Sequence, residues 1–183
     1  AVRLVSRAMS DAGIESENYA ELLDNLATAA QSSGIKLETL TEYLTKYGAP
    51  MRALGFDTKE AIAIFSQWEK AGVNTEIAFS GMKTAISKWS AEGKDAREEF
   101  KKTLAEIQNT PTIAAATTKA IEAFGKKAGP DLADAIKNGR FEYSAFLDVL
   151  SESAGTVENT YAETQSGIDK IKLSIQSLKV TAG

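Results

Sequence analysis

The chain has 183 residues and a formal net charge of −4, with 43% hydrophobic and 25% charged residues. This composition supplies enough apolar material for one ordinary core, or for two small helical subdomains that share a seam, and it argues against general disorder. Positive and negative charges nearly balance, and the sequence contains no block of like charge. Binding to duplex nucleic acid usually requires a clearly basic face. We therefore expect no specific nucleic-acid site.

Cysteine and histidine are both absent from the sequence. Their absence excludes disulfides and thiolate ligands, and it removes the side chain that most often acts as a general base near neutral pH. The longest unbroken apolar run, 61–65, has five residues, and a membrane-spanning helix needs about 20. We predict that the chain is not an enzyme and has no catalytic residue, no cofactor-binding residue and no metal ligand.

Apolar residues recur at helical spacing over nearly the whole chain, and the alternation typical of strands is almost absent. We expect Pro50 to kink the second helix or end it early, and we expect a short helix from Pro130 to about Asn138, stopped by Gly139. The other predicted helices follow the stripes Tyr19, Leu22, Leu23 and Leu26; Leu40, Tyr43, Leu44, Tyr47 and Met51; Ile62, Phe65 and Trp68; Ala78, Met82, Ala85, Ile86 and Trp89; Phe100, Leu104 and Ile107; Ile113, Ala120, Ile121 and Phe124; and Tyr143, Phe146, Leu147 and Leu150.

The predicted joints share one chemistry, a glycine followed by an apolar residue just beyond a helix. Glycine adopts the left-handed conformation at a helix end without steric cost, and the next apolar side chain folds back onto the last turn. A helix-capping residue then follows, and Thr110 with Pro111 would open the sixth helix in the same way. These pairs and caps are Gly13-Ile14 with Ser16, Gly34-Ile35 with Thr39 and Glu42, Gly55-Phe56 with Asp57 and Glu60, and Gly72-Val73 with Asn74.

This pattern predicts an all-α fold, an array of helical hairpins with a longer C-terminal helix. A degenerate solenoid is the alternative, although side-chain identity between the units is poor. The C-terminal stretch changes to steps of three and four residues, which is either one amphipathic helix on the hairpins or the start of a coiled coil. Its seam is Tyr161, Thr164, Ile168, Ile171, Ile175 and Leu178.

We assign 1–155 to a helical-hairpin core module and 156–183 to the C-terminal amphipathic helix. The chain starts at Ala1 without an initiator Met and ends at Gly183 directly after a helical stripe. We therefore expect it to be part of a longer protein, in which the last helix leads into a longer rod.

Three patterns resemble functional sites, and each has a simpler structural interpretation. The acidic pairs Glu98-Glu99, Asp131 with Asp134, and Glu15 with Glu17 lie on predicted exposed faces or near helix starts, where carboxylates are solvated or favoured by the helix dipole. The segment 125–130 superficially resembles a phosphate loop, but no strand precedes it, and we predict a C-cap, a turn and a new helix opened by Pro130. The aromatic residues Trp68, Trp89, Phe65 and Phe124 fall on apolar stripes, which predicts core packing and not stacking on bases.

The segment Leu54–Trp89 resembles the helical core region of the tail tape measure proteins of tailed phages. A second segment, Phe124–Leu150, resembles the family's continuation, and Thr156–Lys179 fits the long helix that follows. The cluster Lys94–Thr110 departs from the family pattern because it is unusually charged. The matching positions are Leu54-Gly55, Glu60-Ala61, Gly72-Val73, Ala78, Met82 and Ala85.

The resemblance implies a structural protein of the virion tail that is assembled in the bacterial host cytoplasm, sets tail length and takes part in genome delivery. It implies contacts with other tail proteins, namely the tube, the tip or baseplate and an assembly chaperone, and self-association of the full-length protein. Contact with the host envelope during delivery would lie outside this fragment. No catalytic motif of the family carries over, and the alternative function is a helical adaptor that binds a tail-tip protein or a chaperone.

Overall fold

A computed structural model describes residues 19–152 of the chain, and over these residues the fold is all-α, as predicted. The predicted joint at Gly13, the cap Ser16, the pair Glu15 and Glu17, and the helix 156–183 lie outside the described residues. The helices are α1 (Tyr19–Ser33), α2 (Leu37–Ala53), α3 (Thr58–Lys70), α4 (Thr75–Ala91), α5 (Ala96–Gln108), α6 (Ile113–Lys137) and α7 (Tyr143–Glu152).

Helix α3 is the centre of the structure. Every residue from 60 to 68 is buried, whereas the sequence pattern predicted a single apolar face carrying Ile62, Phe65 and Trp68. A helix that is buried on all sides needs neighbours all around it. It contacts α1, α2, α4 and α7, and this arrangement places the core of the described residues around one helix.

The predicted glycine joints form as expected. Gly34, Gly55 and Gly72 have φ values of 74°, 92° and 73°. At the third joint the N–H of Gly72 donates to the carbonyl of Glu69 at 3.0 Å, and that of Val73 donates to the carbonyl of Trp68 at 2.9 Å. These two bonds are the Schellman pattern, which satisfies the last carbonyls of a helix.

Two of the predicted N-caps are confirmed. Asp57 Oδ1 accepts from the Glu60 N–H at 2.8 Å while Glu60 Oε2 accepts from the Asp57 N–H at 2.9 Å, which completes a capping box. Asn74 Oδ1 accepts from the Ile77 N–H at 3.0 Å at the start of α4. Short polar side chains at these positions therefore fix where α3 and α4 begin.

Two other predicted N-caps are wrong. Helix α2 begins at Leu37, two residues before Thr39, and its N-cap Lys36 makes no side-chain capping bond. The earlier start brings Leu37 against the core, and this apolar packing replaces the missing cap. At α6 the cap is Thr112, whose hydroxyl accepts from the Ala115 N–H at 3.2 Å, so the predicted start at Thr110 and Pro111 falls two residues early.

The expectation that Pro50 ends α2 early is also wrong, because the helix continues to Ala53. A proline removes one backbone donor, which disrupts a helix most in its middle. Here it lies in the last turn, its own carbonyl accepts from the Leu54 N–H at 3.1 Å, and Met51 next to it is fully buried.

Helix α6 is two antiparallel helical segments joined at Gly125, where φ is 85° and ψ is 168°. A straight helix of this length would separate its ends by about 37 Å, yet Lys137 Nζ donates to the carbonyl of Gln108 at 2.7 Å. The turn predicted here is therefore present, but the new segment starts directly after Gly125 and the expectation that Pro130 opens it is wrong. Gly139, with φ of 65°, follows the end of the second segment as predicted.

Helix boundaries recur at a fixed interval although side chains do not. The N-caps Lys36, Asn74 and Thr112 lie 38 residues apart, and so do Asp57 and Asp95. This spacing supports the degenerate repeat up to the start of α6. The reversal at Gly125 then breaks it, because the second half of α6 folds back on the first.

Gly81 of α4 makes the closest approach to α6. A Cβ at this position would lie 2.7 Å from the carbonyl oxygen of Phe124 and 2.5 Å from the Cβ of Ala128. Gly81→Ala is therefore expected to destabilise the fold by about 1–3 kcal/mol, because neither backbone nor a methyl group can turn away. Urea unfolding measured by circular dichroism tests this value.

Gly48→Ala is the matched control, since Gly48 is also buried within a helix but a Cβ there meets nothing closer than 3.9 Å. We expect this change to stabilise the protein by about 0.5–1 kcal/mol, the helical preference of alanine over glycine. Equal effects of the two substitutions would contradict the close packing of α4 on α6.

Candidate functional site

Glu60 is the most deeply buried carboxylate of the described residues, with 1% of the residue exposed. Its Oε1 atom accepts from Arg97 Nε at 2.9 Å and from the Tyr143 hydroxyl at 3.3 Å, and it forms an ion pair with Arg97 Nη2 at 2.6 Å. Oε2 accepts from the Asp57 N–H at the N-cap of α3. A buried charge is tolerated only when it is paired and fully hydrogen-bonded. The group therefore joins α3 to α5 and α7, which is a structural role.

The segment before α7 is attached to α3 by further polar bonds. Gln67 Oε1 accepts from the Glu142 N–H at 3.2 Å, and Arg140 Nη1 donates to the carbonyl of Ala71 at 2.5 Å. Phe141 stacks on Trp68 with ring centroids 6.4 Å apart. These contacts fix the start of α7 beside the C-terminal half of α3.

The predicted acidic pairs are surface groups in the structure. Glu98 pairs with Lys101 at 3.8 Å, and Glu99 pairs with Lys102 at 3.4 Å. Asp134 accepts from Asn138 Nδ2 at 2.7 Å and pairs with Arg140, and Asp131 is exposed. The interpretation as solvated helix-surface carboxylates fits this arrangement for the pairs that the structure describes.

The other two patterns are also structural. In segment 125–130, Ala128 and Gly129 are buried between the two halves of α6, and a Cβ at Gly129 would lie 2.7 Å from the backbone of Ile121. This packing leaves no open cradle for a phosphate group. The four singled-out aromatic side chains are at most 6% exposed, so their predicted core packing is confirmed; they are Trp68, Trp89, Phe65 and Phe124.

A surface cleft of about 460 Å³ lies where the C-terminal half of α2 meets the joint between α3 and α4. Tyr43 donates to Glu69 Oε2 at 2.7 Å, and Lys46 Nζ lies 5.0 Å from the ring centroid of Tyr47 and 3.5 Å from Glu76 Oε2. The cleft is lined by Tyr43, Lys46, Tyr47, Glu69, Gly72, Val73, Asn74, Thr75 and Glu76.

The polar groups of this cleft affect one another. Burial raises the pKa of the Tyr43 phenol, and the hydrogen bond to Glu69 raises it further, while the nearby Thr75 hydroxyl lowers it in part. The Thr75 oxygen itself is buried and makes no hydrogen bond of normal geometry within residues 19–152. The cleft thus combines two phenol rings, two carboxylates and an unsatisfied hydroxyl.

Sequence analysis assigned Tyr43 and Tyr47 to an apolar stripe and did not assign Glu69, Thr75 or Glu76. The sequence signal that could have indicated this cleft was the pair Tyr43 and Tyr47, four residues apart on one helix face. A packed tyrosine needs a polar partner for its hydroxyl. The partner Glu69 is 26 residues away on another helix, so local spacing does not reveal it.

Within residues 19–152, no cluster of three or more metal-ligating side chains occurs. No helix in this part of the chain has the length and apolar content needed to cross a membrane.

Residues 1–110 match the model of the family described as phage-related minor tail protein. The chain belongs to this family. The family assigns the protein to the phage tail as a structural component that interacts with other tail components. No curated protein and no solved structure matches the chain.

The family match covers α1 to α5 of this minor tail protein and therefore includes the entire cleft and the Glu60–Arg97 pair. Helices α6 and α7, including Tyr143, lie beyond the matched residues. The core of this minor tail protein therefore contains helices from the matched residues and two helices, α6 and α7, that follow them.

Glu60→Gln keeps the side-chain volume and removes the buried charge. We expect the free energy of unfolding to fall by about 1–3 kcal/mol, because the bonds to Arg97 and to the α3 N-cap weaken, although Arg97 can regain water. Glu106→Gln is the matched control, since its pair with Lys119 is about two-fifths exposed and should contribute less than about 1 kcal/mol. Equal losses in urea unfolding would rule out the anchoring role of Glu60.

Burial, followed by the charge of Glu60, raises the pKa of the Tyr143 phenol well above its usual value. The folded protein therefore holds this proton more tightly than the unfolded chain, and the resulting stability is complete below the unfolded pKa of about 10. Above this pKa we expect the free energy of unfolding to fall by about 1.4 kcal/mol per pH unit. Tyr143→Phe has no phenol proton and should therefore not show this fall. Parallel pH profiles of unfolding for the two proteins would contradict this coupling.

Proposed function

We propose that this minor tail protein is part of a tape measure protein, the component that sets tail length and takes part in tail assembly and genome delivery. The observation that carries the proposal is the family match over residues 1–110, which includes the segment Leu54–Trp89 that resembles the tape measure core. The segment Phe124–Leu150 extends the same resemblance beyond the match. The protein would act without catalysis, in the virion tail, after assembly in the host cytoplasm.

Helix geometry limits the part that this segment takes in measuring length. A ruler built as one helix gains about 1.5 Å per residue, whereas the turns at Gly34, Gly55, Gly72 and Gly125 reverse the chain and shorten it. We therefore assign residues 19–152 to a compact module beside the ruler. The extended part would lie elsewhere in the full-length protein, where self-association and contacts with tube, tip or baseplate, and chaperone proteins would form.

A helical adaptor that binds a tail-tip protein or an assembly chaperone is the second candidate. The cleft between α2 and the α3–α4 joint favours it, because a surface recess with polar groups of both signs suits a protein partner. An adaptor and a ruler differ in how tail length responds to changes in the length of the chain.

In-frame deletions in the full-length protein separate these candidates. Removing helical residues outside this segment is expected to shorten the tail by about 1.5 Å per residue, measured by electron microscopy of intact virions. Tails of unchanged length after such deletions would refute the tape measure function and favour the adaptor.

Deletion of residues 19–152 provides the internal comparison. If this segment were extended, its removal would shorten the tail by about 200 Å. A compact module predicts a much smaller change or a failure of assembly, and a loss near the full extended value would overturn the placement beside the ruler.

A further inference from the structure

We propose that the cleft between α2 and the α3–α4 joint binds an arginine side chain of a neighbouring protein. The group is recognised by the carboxylates of Glu69 and Glu76, the ring of Tyr47 and the unsatisfied hydroxyl of Thr75. The site is inferred from geometry alone. Only the identification of the neighbour as another tail component rests on the proposed function.

The cleft already holds a cation in the position that the proposal requires. Lys46 Nζ lies 5.0 Å from the centroid of the Tyr47 ring and 3.5 Å from Glu76 Oε2. A cation within about 6 Å of an aromatic face is attracted by the ring quadrupole. Because the Lys46 side chain is 59% exposed, it can leave the cleft when a second cation enters.

The cleft contains one buried oxygen that residues 19–152 leave without a hydrogen-bond partner. Thr75 is 4% exposed, and its hydroxyl oxygen has no hydrogen-bond partner of normal geometry in the described residues. A buried polar atom without a partner costs free energy that a ligand recovers on binding. Together with the carboxylates of Glu69 and Glu76, which have further lone pairs beyond those facing Tyr43 and Lys46, this oxygen suits a ligand with several N–H groups.

These requirements distinguish arginine from other ligands. A guanidinium has five donors in a planar fork, stacks on aromatic rings and pairs with carboxylates in two-point geometry, whereas an ammonium is a compact point charge. An anion would meet Lys46 and the N-terminus of α4, but Glu69 and Glu76 give the lining a net negative charge. The balance of charge therefore selects a cation, and the planar donors select guanidinium.

The test uses the 183-residue chain and N-acetyl-L-arginine methylamide as the probe, with backbone amide shifts of residues 72–76 followed by NMR. We expect saturable shifts confined to the cleft. The citrulline analogue, which is similar in shape but uncharged, is expected to produce none, and the lysine analogue is expected to bind more weakly. Equal binding of arginine and citrulline analogues, or no shift at these amides, would overturn the proposal.

Substitutions in the cleft are expected to change the affinity for the probe in opposite directions. Glu69→Gln and Glu76→Gln should each weaken probe binding about threefold, and Lys46→Ala should tighten it by a similar factor because it removes the competing ammonium. Glu106→Gln, which removes an equivalent surface charge away from the cleft, should leave affinity unchanged. A weaker affinity for Lys46→Ala would show that the cleft does not accept an external cation.

Thr75→Val separates recognition from folding, since it removes the hydroxyl while nearly keeping the side-chain shape. The free protein should become no less stable because an unsatisfied buried group is lost, while probe affinity should fall. Unchanged affinity in a folded Thr75→Val protein would remove Thr75 from the site. None of these readouts depends on tail length, so the arginine site and the tape measure function fail independently.

Discussion

Burial of α3 removes its central side chains from water, and three of its polar side chains find partners inside the protein, whereas Trp68 Nε1 has no hydrogen-bond partner within residues 19–152. Glu60 is satisfied by Arg97 and Tyr143, Ser66 by the carbonyl of Ile62 at 2.7 Å, and Gln67 by the N–H of Glu142. The partners outside α3 come from α5, from α7 and from the segment before it. The hydrogen bonds of one helix therefore determine where the later parts of the chain are held.

The apolar contacts follow the same organisation. Phe100 of α5 packs edge-on against three rings that come from different parts of the chain, namely Phe56, Phe124 and Tyr143. The Tyr143 hydroxyl also donates to Glu60 Oε1 at 3.3 Å, so this aromatic cluster extends to the buried carboxylate. The aromatic core and the buried charge are thus one structural unit.

As a phage tail component, the protein interacts with other tail components, and its buried and surface polar groups differ in how they are bonded. The buried acid Glu60 uses its oxygens within the protein, where they bind Arg97, Tyr143 and the N-cap of α3. The cleft beside α4 differs in this respect, because its Thr75 oxygen has no hydrogen-bond partner within residues 19–152 and its Lys46 side chain is 59% exposed. The proposed arginine site would allow a side chain of a neighbouring protein to complete these hydrogen bonds.

The amino-acid pattern alone determined the all-α class, the glycine joints and the caps Asp57 and Asn74, because these depend on residues within about one helical turn. It misplaced the starts of α2 and α6, where packing of Leu37 and a hydroxyl at Thr112 decided the boundary. Only the tertiary structure revealed that the second half of α6 begins directly after Gly125, that Glu60 binds Arg97 and Tyr143, and that Tyr43 pairs with Glu69. Each depends on residues brought together from distant parts of the chain, and helical periodicity contains no information about which faces of different helices meet.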